Sequence, residues 1–276
     1  MKRVVFLCVL LAMLVSTAFA AEPRSLQVED EVLAATRLED DLYYITQNGV
    51  FRVDTESLDT EQVLPARELE RYCAQAMNSH RVILVFRNRH LLLFDWHSGN
   101  IYQIENRHMS RLTTFNASSL ATQACWSPVC AGSRILFLSG AGTGSVGRLC
   151  SLDLEIGILM ESETTDLMEI ALWKSGQILG MTHGAAGRAD LMATNFQGRD
   201  RVPQASPAGM TFRGLESDPS TEVMYLVNEE GLNRVTHDDQ VLLYAMDTGR
   251  PEVEYLLLDH YYAIIGMHEI TLYDLE

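Results

Sequence analysis

The sequence predicts an all-β chain built from repeated antiparallel units, and the repeat itself carries that prediction. From residue 41 onward, a short apolar run, a turn and a second apolar run ending in a polar turn-former recur along the chain. The closing polar residues are Asp54, Asp95, Asp153, Asn195, His237 and Asp274. They are spaced 41, 58, 42, 42 and 37 residues apart, which is one recurring period with a single insertion. Strands that repeat at this period without a helical pattern are typical of a β-propeller.

A second observation concerns the predicted strands, several of which are apolar at every position, for example residues 82–86 and 91–94. A half-exposed strand alternates apolar and polar residues, so these strands are expected to be covered on both faces. Parallel sheets also give this pattern, but they require crossover helices, for which the short gaps between the runs leave no room. Blades packed between neighbouring blades explain the pattern directly.

Each repeat divides into short strands. In the first repeat they are expected at residues 32–37, 42–46, 50–53 and 62–64, and in the second at residues 73–77, 82–86, 90–94 and 101–104. An inserted segment at residues 107–130 precedes the third repeat. The sixth repeat ends after its third strand, and residues 25–29 are the most economical source of its missing outer strand, because such pairing removes an exposed edge.

The sequence therefore predicts six four-stranded antiparallel blades in a single domain over residues 21–276, with the last blade closed by the N-terminal strand. Seven blades are the alternative. Propellers host many unrelated activities, so this architecture does not by itself assign a function.

Three short segments also carry a family resemblance. Residues 51–54 (FRVD), 92–95 (LLFD) and 271–274 (TLYD) each end an apolar run on an aspartate followed by a turn. They resemble the repeat core of exported bacterial propellers of the TolB-like and quinoprotein-like superfamilies. The tryptophan that quinoprotein-type repeats carry after the turn is absent from most repeats here. The resemblance implies a fold and an exported location, and it transfers no functional residue.

The N-terminus predicts a secretory signal at residues 1–20. Lys2 and Arg3 form a charged start, residues 4–16 form an apolar stretch, and Ala18-Phe19-Ala20 matches a cleavage site. An uncleaved anchor is the alternative, but the apolar stretch is shorter than the roughly 20 residues that span a bilayer. The expected protein is therefore secreted or periplasmic, without a membrane span after cleavage.

The charge of the chain excludes one class of partner. The formal net charge is −16. A chain this acidic repels phosphate backbones and anionic lipid, so neither nucleic acid nor an anionic membrane surface is expected as a partner. A protein or glycan partner, in the cell envelope or outside the cell, is the remaining expectation.

The four cysteines beyond the signal are Cys73, Cys125, Cys130 and Cys150. An even number in an exported protein permits two disulfides in any of three pairings. Cys125 and Cys130 are the favoured pair if the intervening Ser127-Pro128 folds the segment back. No C-x-x-C or paired Cys/His spacing occurs, so no structural metal site is expected.

Sequence motifs for cofactors and catalysis are weak. Gly142, Gly144 and Gly147 satisfy G-x-G-x-x-G, but a strand-like segment follows where a dinucleotide site needs a helix. No two histidines share the helical spacing of a zinc protease. No cofactor, metal or linear catalytic motif is therefore predicted.

A binding site is expected at one end of the propeller, because the loops after second and fourth strands gather around the channel mouth and function concentrates on loops. The residues placed on this ligand face are Arg87, Arg89, His183, Arg188, His268 and Glu269. The sequence favours a non-enzymatic platform that binds a protein or glycan. The alternative is a lyase, lactonase or glycan hydrolase whose site is assembled from several blades, with His183, His268 and Glu269 as first candidates.

Overall fold

The computed structural model describes residues 22–275 except 143–144, 164–165, 175, 185–188, 205–211, 237–238 and 247–251. Within these ranges the chain forms twenty-four β-strands, one α-helix and a short 310 helix at Ser118–Leu120. The predicted all-β class is confirmed. The predicted signal at residues 1–20 lies outside the described residues, and none of the described helices has the length and apolar character needed to cross a bilayer.

The elements of the first half are β1 (Arg24–Gln27), β2 (Ala34–Leu38), β3 (Asp41–Thr46), β4 (Gly49–Asp54), β5 (Thr60–Pro65), α1 (Ala66–Asn78), β6 (Val82–Arg87), β7 (His90–Asp95), β8 (Asn100–Glu105), β9 (His108–Thr114), β10 (Ala124–Ala131), β11 (Arg134–Gly140) and β12 (Gly147–Asp153). The elements of the second half are β13 (Ile158–Glu161), β14 (Leu167–Leu172), β15 (Gln177–His183), β16 (Ala189–Asn195), β17 (Val202–Pro203), β18 (Phe212–Asp218), β19 (Val223–Asn228), β20 (Gly231–Val235), β21 (Gln240–Ala245), β22 (Glu252–Leu257), β23 (Tyr261–Gly266) and β24 (Glu269–Asp274).

These strands form antiparallel meanders of four. Four sheets have the orders β2-β3-β4-β5, β6-β7-β8-β9, β18-β19-β20-β21 and β1-β24-β23-β22. The remaining eight strands form β10-β11-β12-β13 and β14-β15-β16-β17, which a single pairing of Gly147 with Leu167 joins into one sheet. In space, β6 lies beside β2 and β10, β14 beside β10 and β18, and β22 beside β18 and β2. Mostly antiparallel four-stranded sheets packed through their first strands are an arrangement consistent with a propeller.

The last sheet takes its outer strand from the N-terminal segment. β1 pairs antiparallel with β24, with Leu26 opposite Ile270. Beyond the strand, the amide of Val28 donates to the carbonyl of His268 at 2.9 Å, and that of Val32 donates to Met267 at 2.8 Å. The pairing expected for residues 25–29 is therefore present, one residue earlier than predicted at its start.

The second sheet differs from the prediction, because residues 73–77 belong to a helix. Buried Leu69, Cys73, Ala76 and Met77 recur at helical spacing in α1, so the segment buries one stripe against its neighbours. The strand prediction for these residues was wrong because a short apolar run fits a buried helix as well as a strand. As a consequence β6 is the first strand of its sheet, although the sequence placed it second.

The predicted insertion at residues 107–130 is also mostly strand. It supplies β9 as the fourth strand of one sheet and most of β10 as the first strand of the next. Asp95 therefore follows a second strand, whereas Asp54 and Asp153 follow third strands. This offset of one strand explains why the interval of 41 residues before Asp95 is shorter than the interval of 58 residues after it.

The core lies between adjacent sheets. Phe94 packs against Phe115 and Phe137, with ring centroids 5.0 and 5.2 Å away, across two neighbouring sheets. The first four residues of β6 and the last five of β7 are all buried. The prediction that the wholly apolar strands are covered on both faces is confirmed.

Candidate functional site

Three glutamates from neighbouring first strands line one internal cavity. Glu169 lies on β14, Glu216 on β18 and Glu254 on β22. The cavity has a volume of about 30 Å³ and is also bordered by Trp126 and Ser127 of β10. This is room for about one or two water molecules. The three glutamates are only half-buried, but the space between them holds little solvent.

The surroundings of these carboxyls oppose their ionisation. Burial raises the pKa of Glu169 to about 8, that of Glu216 to about 7 and that of Glu254 to about 8. Smaller influences oppose the shift: Ser127 hydrogen-bonds Glu169, and the Arg37 charge favours the ionised form of Glu216. The three carboxyls are therefore harder to ionise than an exposed glutamate, and the protonated form of each is able to donate a hydrogen bond.

A buried phenol lies beside this cluster. Tyr262 has no exposed surface, and its hydroxyl finds no hydrogen-bond partner in the described part of the chain. Burial and the neighbouring charges of Glu216 and Glu169 raise its pKa well above the usual 10. Within the described ranges, no three His, Cys, Asp or Glu side chains are placed to hold a metal ion. The cluster therefore combines three carboxyls and a phenol whose ionisation burial opposes.

A larger cleft opens between two adjacent meanders. It has a volume of about 670 Å³ and lies where β12 and β13 face the segment from Phe196 to Arg201. Met160 and Phe196 supply apolar walls. A cleft of this size accommodates a drug-sized molecule or a short peptide segment.

Most charges in this cleft are paired within the protein. Arg201 donates two 2.6 Å hydrogen bonds to the carboxylate of Asp166, and Arg148 lies 2.6 Å from Glu161. The Arg201 hydrogen bonds hold the pKa of Asp166 below its usual value. These pairs fix the charged side chains at the walls, so the cleft presents less charge than its composition indicates.

Exposed apolar side chains flank the same cleft. Three of these side chains are at alternate positions, one in the turn before β13 and two on the strand itself. They are Ile156, Ile158 and Met160, which are 66%, 51% and 41% exposed. Val202 on β17 is 52% exposed. Both strands are the outermost of their meanders. An exposed apolar row on an outer strand is characteristic of an interaction surface.

The structure separates the residues that the sequence placed on one ligand face. Arg87 ends β6 and lies 3.3 Å from Glu155, and Arg89 in the following turn lies 3.1 Å from Glu39. Because β6 is a first strand, this turn lies at the opposite end of its sheet from the turn after the second strand, where the sequence had placed both arginines. The correction follows from α1, which displaced the strand order by one.

The other three described candidates follow second strands. His183 ends β15 and is exposed, and exposed His268 precedes Glu269 at the start of β24. Glu269 also faces Gln27 in the pairing of β24 with β1. Arg188 lies outside the described residues.

The expected Cys125–Cys130 disulfide is not formed. Both residues are free cysteines on β10, as Cys73 and Cys150 are free elsewhere. Ser127 adopts a positive φ of 53° and β10 bulges there, but the strand still continues along β11 instead of folding back. Burial raises the pKa of Cys73 to about 12 and that of Cys150 to about 11. These thiols are therefore expected to be unreactive in the folded protein.

Sequence reasoning missed the three glutamates of the cavity, Glu169, Glu216 and Glu254. All three lie in the first strands of successive meanders, and they are spaced 47 and 38 residues apart. That periodic recurrence was the available signal. A lone glutamate in a strand does not by itself indicate burial, because glutamates are common on exposed strand faces as well.

Comparison with known proteins supports the fold. No family model and no curated protein sequence matches the chain. A chain of the mitotic checkpoint complex aligns with a TM-score of 0.58 and 11% identity, over 95% of this chain and 94% of its own. The extracellular domain of BT4673 from B. thetaiotaomicron aligns with a TM-score of 0.50 and 13% identity, over 88% of this chain and 32% of its own.

A further solved structure is PorZ, an essential surface component of the type-IX secretion system of Porphyromonas gingivalis. It aligns with a TM-score of 0.50 and 13% identity over 88% of this chain. The chain spans about a third, 32%, of the length of PorZ. At these identities the likeness concerns the fold alone, and the fold that this chain resembles is the β-propeller.

Proposed function

We propose that the chain is an exported, non-enzymatic, six-bladed β-propeller that binds a partner through the cleft between β13 and the segment from Phe196 to Arg201. The observation that carries the proposal is the exposed apolar row of Ile156, Ile158 and Met160 beside a cleft of about 670 Å³. Exposing apolar surface to water is unfavourable in free energy, and a partner that covers the row removes this cost. A rigid scaffold of strands holds such a surface in a fixed position, which suits binding.

Six blades are supported by the way in which the meanders meet. Each meander of four strands places its first strand beside the first strands of two others, and β22 of the last lies beside β2 of the first. A seventh blade would have to stand between two strands that are already neighbours. Export is supported by the signal-like N-terminus, and the similar fold of an extracellular domain agrees with it.

A protein partner fits the cleft better than a glycan. The exposed residues on β13 are aliphatic, whereas sugar rings are commonly held against aromatic faces, and Phe196 is the aromatic residue among the cleft walls. In addition, β13 and β17 are outermost strands, to which an extended peptide adds by main-chain hydrogen bonds. Alternating apolar side chains of such a peptide would cover the alternating row on β13.

The test is a site-specific photo-cross-link. Lysine-directed reagents are unsuitable because the sequence beyond the signal contains the single lysine Lys174. Ile158→p-benzoylphenylalanine places a photoreactive group in the row, and Leu242→p-benzoylphenylalanine provides a matched control. Leu242 is 44% exposed and lies on β21, the outermost strand of another sheet. Both proteins are irradiated with a native envelope extract and with a native secretome.

The expected result is one protein adduct at position 158 that is absent at position 242 and is suppressed by Met160→Asp. Equal adducts at both positions, or an adduct that Met160→Asp leaves unchanged, would contradict the assignment of the cleft. A glycan adduct at position 158 would retain the cleft and exclude the protein partner.

The enzyme alternative rests on the channel carboxyls. A carboxyl that remains protonated near neutral pH has the property that a general acid requires. Against this reading, the cavity of about 30 Å³ admits no sugar ring or lactone. Turnover of a lactone or glycan panel that disappears in Glu216→Gln, with unchanged folding, would favour the enzyme.

A further inference from the structure

A second open pocket lies at the end of the first strands, away from the cleft. It has a volume of about 400 Å³ and is formed where β2, β18 and β22 end. Its polar lining includes Arg37, Asp218, Tyr225 and Asp259. The pocket therefore combines both signs of charge in a space suited to a small molecule.

Two of these charged groups have no hydrogen-bond or ion-pair partner among the described residues. The Arg37 guanidinium makes neither a hydrogen bond nor an ion pair with any described residue, although the side chain is only partly exposed. The carboxylate of Asp259, which is exposed, is likewise unpaired in the described ranges. A guanidinium withdrawn from bulk water without an acceptor is unfavourable, so an external acceptor would stabilise it.

The third charged residue, Asp218, already has hydrogen-bond partners in the protein. Asp218 accepts hydrogen bonds from the amide and hydroxyl of Ser220 at 2.8 and 2.6 Å and from the hydroxyl of Thr221 at 2.7 Å. These bonds lower the pKa of Asp218, so it stays ionised. Its negative charge disfavours a second anion in the pocket. A dianion such as phosphate is therefore a poor match for the site.

We propose that this pocket binds a small zwitterion carrying one carboxylate and one ammonium group, of the free amino-acid type. The carboxylate accepts hydrogen bonds from Arg37, whose planar fork suits bidentate contact. The ammonium group meets Asp259 and the field of Asp218. The phenol of Tyr225 is available for a further hydrogen bond. The pocket is separate from the cleft of the proposed function, so the two proposals stand independently.

Binding at Arg37 is coupled to the protonation of Glu216 in the glutamate cluster. The groups that face Glu216 are Arg37 from β2, Glu254 from β22, Glu169 from β14 and Tyr262 from β23. A bound carboxylate offsets the Arg37 charge that favours ionised Glu216. Zwitterion binding is therefore accompanied by proton uptake near neutral pH, and the affinity falls as the pH rises above about 7.

The experiment is calorimetric titration of the full folded chain with glycine, L-alanine and L-glutamine, and with acetate and methylammonium as half-ligands. At least one amino acid is expected to bind, with each half-ligand about tenfold weaker or more. Arg37→Gln should weaken binding about 10- to 100-fold, and Asp259→Asn should weaken it about tenfold. Titration in buffers of different ionisation enthalpy reports the proton uptake.

Arg111→Gln, on exposed β9, is the matched control and should leave the affinity unchanged. Arg37→Lys, which keeps the charge and is less disruptive to folding, should recover part of the affinity. The proposal is overturned if no amino acid binds at about 10 mM, if acetate binds as tightly as an amino acid, or if Arg37→Gln binds like the native protein. None of these results bears on the cross-link at Ile158.

Discussion

The amide of Ala35 donates a 3.0 Å hydrogen bond to Oε2 of Glu254, although the two residues are 219 positions apart in the chain. Ala35 lies on the first strand of the first complete sheet and Glu254 on the first strand of the last. The bond therefore joins the two ends of the succession of sheets. It also supplies one hydrogen-bond donor to a carboxyl whose pKa is raised by burial.

Replacing Glu254 with glutamine should change how stability depends on pH. The folded pKa of about 8 exceeds the ordinary 4.5, so the folded chain binds more protons than the unfolded chain between these values. Its contribution to stability is full below about pH 4.5 and is lost as the pH rises to about 8. Glu254→Gln keeps the acceptor for Ala35 without the charge, and should gain on the order of 1–3 kcal/mol at pH 8.5 relative to pH 5.

The measurement is urea unfolding of the native and variant chains across this pH range. Glu70→Gln, on the exposed side of α1, is the control and should leave the pH slope unaltered. An unchanged slope in Glu254→Gln would show that this carboxyl is already ionised in the folded protein at neutral pH.

Removing the N-terminal strand should open the last sheet. A chain that begins at Val28 lacks β1 and leaves the edge of β24 unpaired, whereas a chain that begins at Arg24 retains it. The loss of these main-chain bonds should destabilise the shorter chain by about 2–4 kcal/mol and promote association through the exposed edge. Thermal unfolding and light scattering compare the two. Equal melting temperatures would mean that β1 adds little to the fold.

Adding a methyl group at Gly147 should strain the junction of two meanders. A Cβ there would lie 2.5 Å from Cη2 of Trp126 and 3.2 Å from Cβ of Leu138. Because Trp126 is held by a 2.8 Å hydrogen bond from its indole to the carbonyl of Met168, it is not free to move aside. Gly147→Ala should therefore cost about 1–3 kcal/mol.

A double-mutant cycle separates this clash from other effects. Trp126→Phe removes the ring atoms that the new methyl group meets, so Gly147→Ala should cost less in that background. Equal costs in both backgrounds would assign the penalty to the backbone at Gly147 instead.

The cysteine thiols should react rapidly with a thiol reagent only after the protein unfolds. Cys73, Cys125 and Cys150 are buried, and burial raises the pKa of Cys130 to about 11. A chain lacking residues 1–20 should show four thiols with a disulfide-exchange reagent in denaturant and little rapid reaction in native buffer. Mass spectrometry without reductant checks the same point, since a native disulfide would lower the mass by two hydrogens.

The sequence by itself determined the all-β class, the covering of the wholly apolar strands and the pairing of the N-terminal segment with β24. Hydrophobic runs and turn residues are local signals, and they suffice where each strand has one available partner. Local signals were not sufficient for residues 73–77, because the same apolar run fits a strand or a buried helix. The packing of Leu69, Cys73 and Met77 against neighbouring sheets selected the helix.

Tertiary structure alone decided the chemistry. Glu169, Glu216 and Glu254 are unremarkable in sequence, and they share a cavity only because three first strands lie side by side. The pairing of Arg87 with Glu155, and the lack of a hydrogen bond or ion pair to Arg37 among the described residues, likewise depend on which strand ends meet in space. The charges around a side chain, its burial and the groups that it contacts depend on its position in three dimensions. A linear pattern does not contain them.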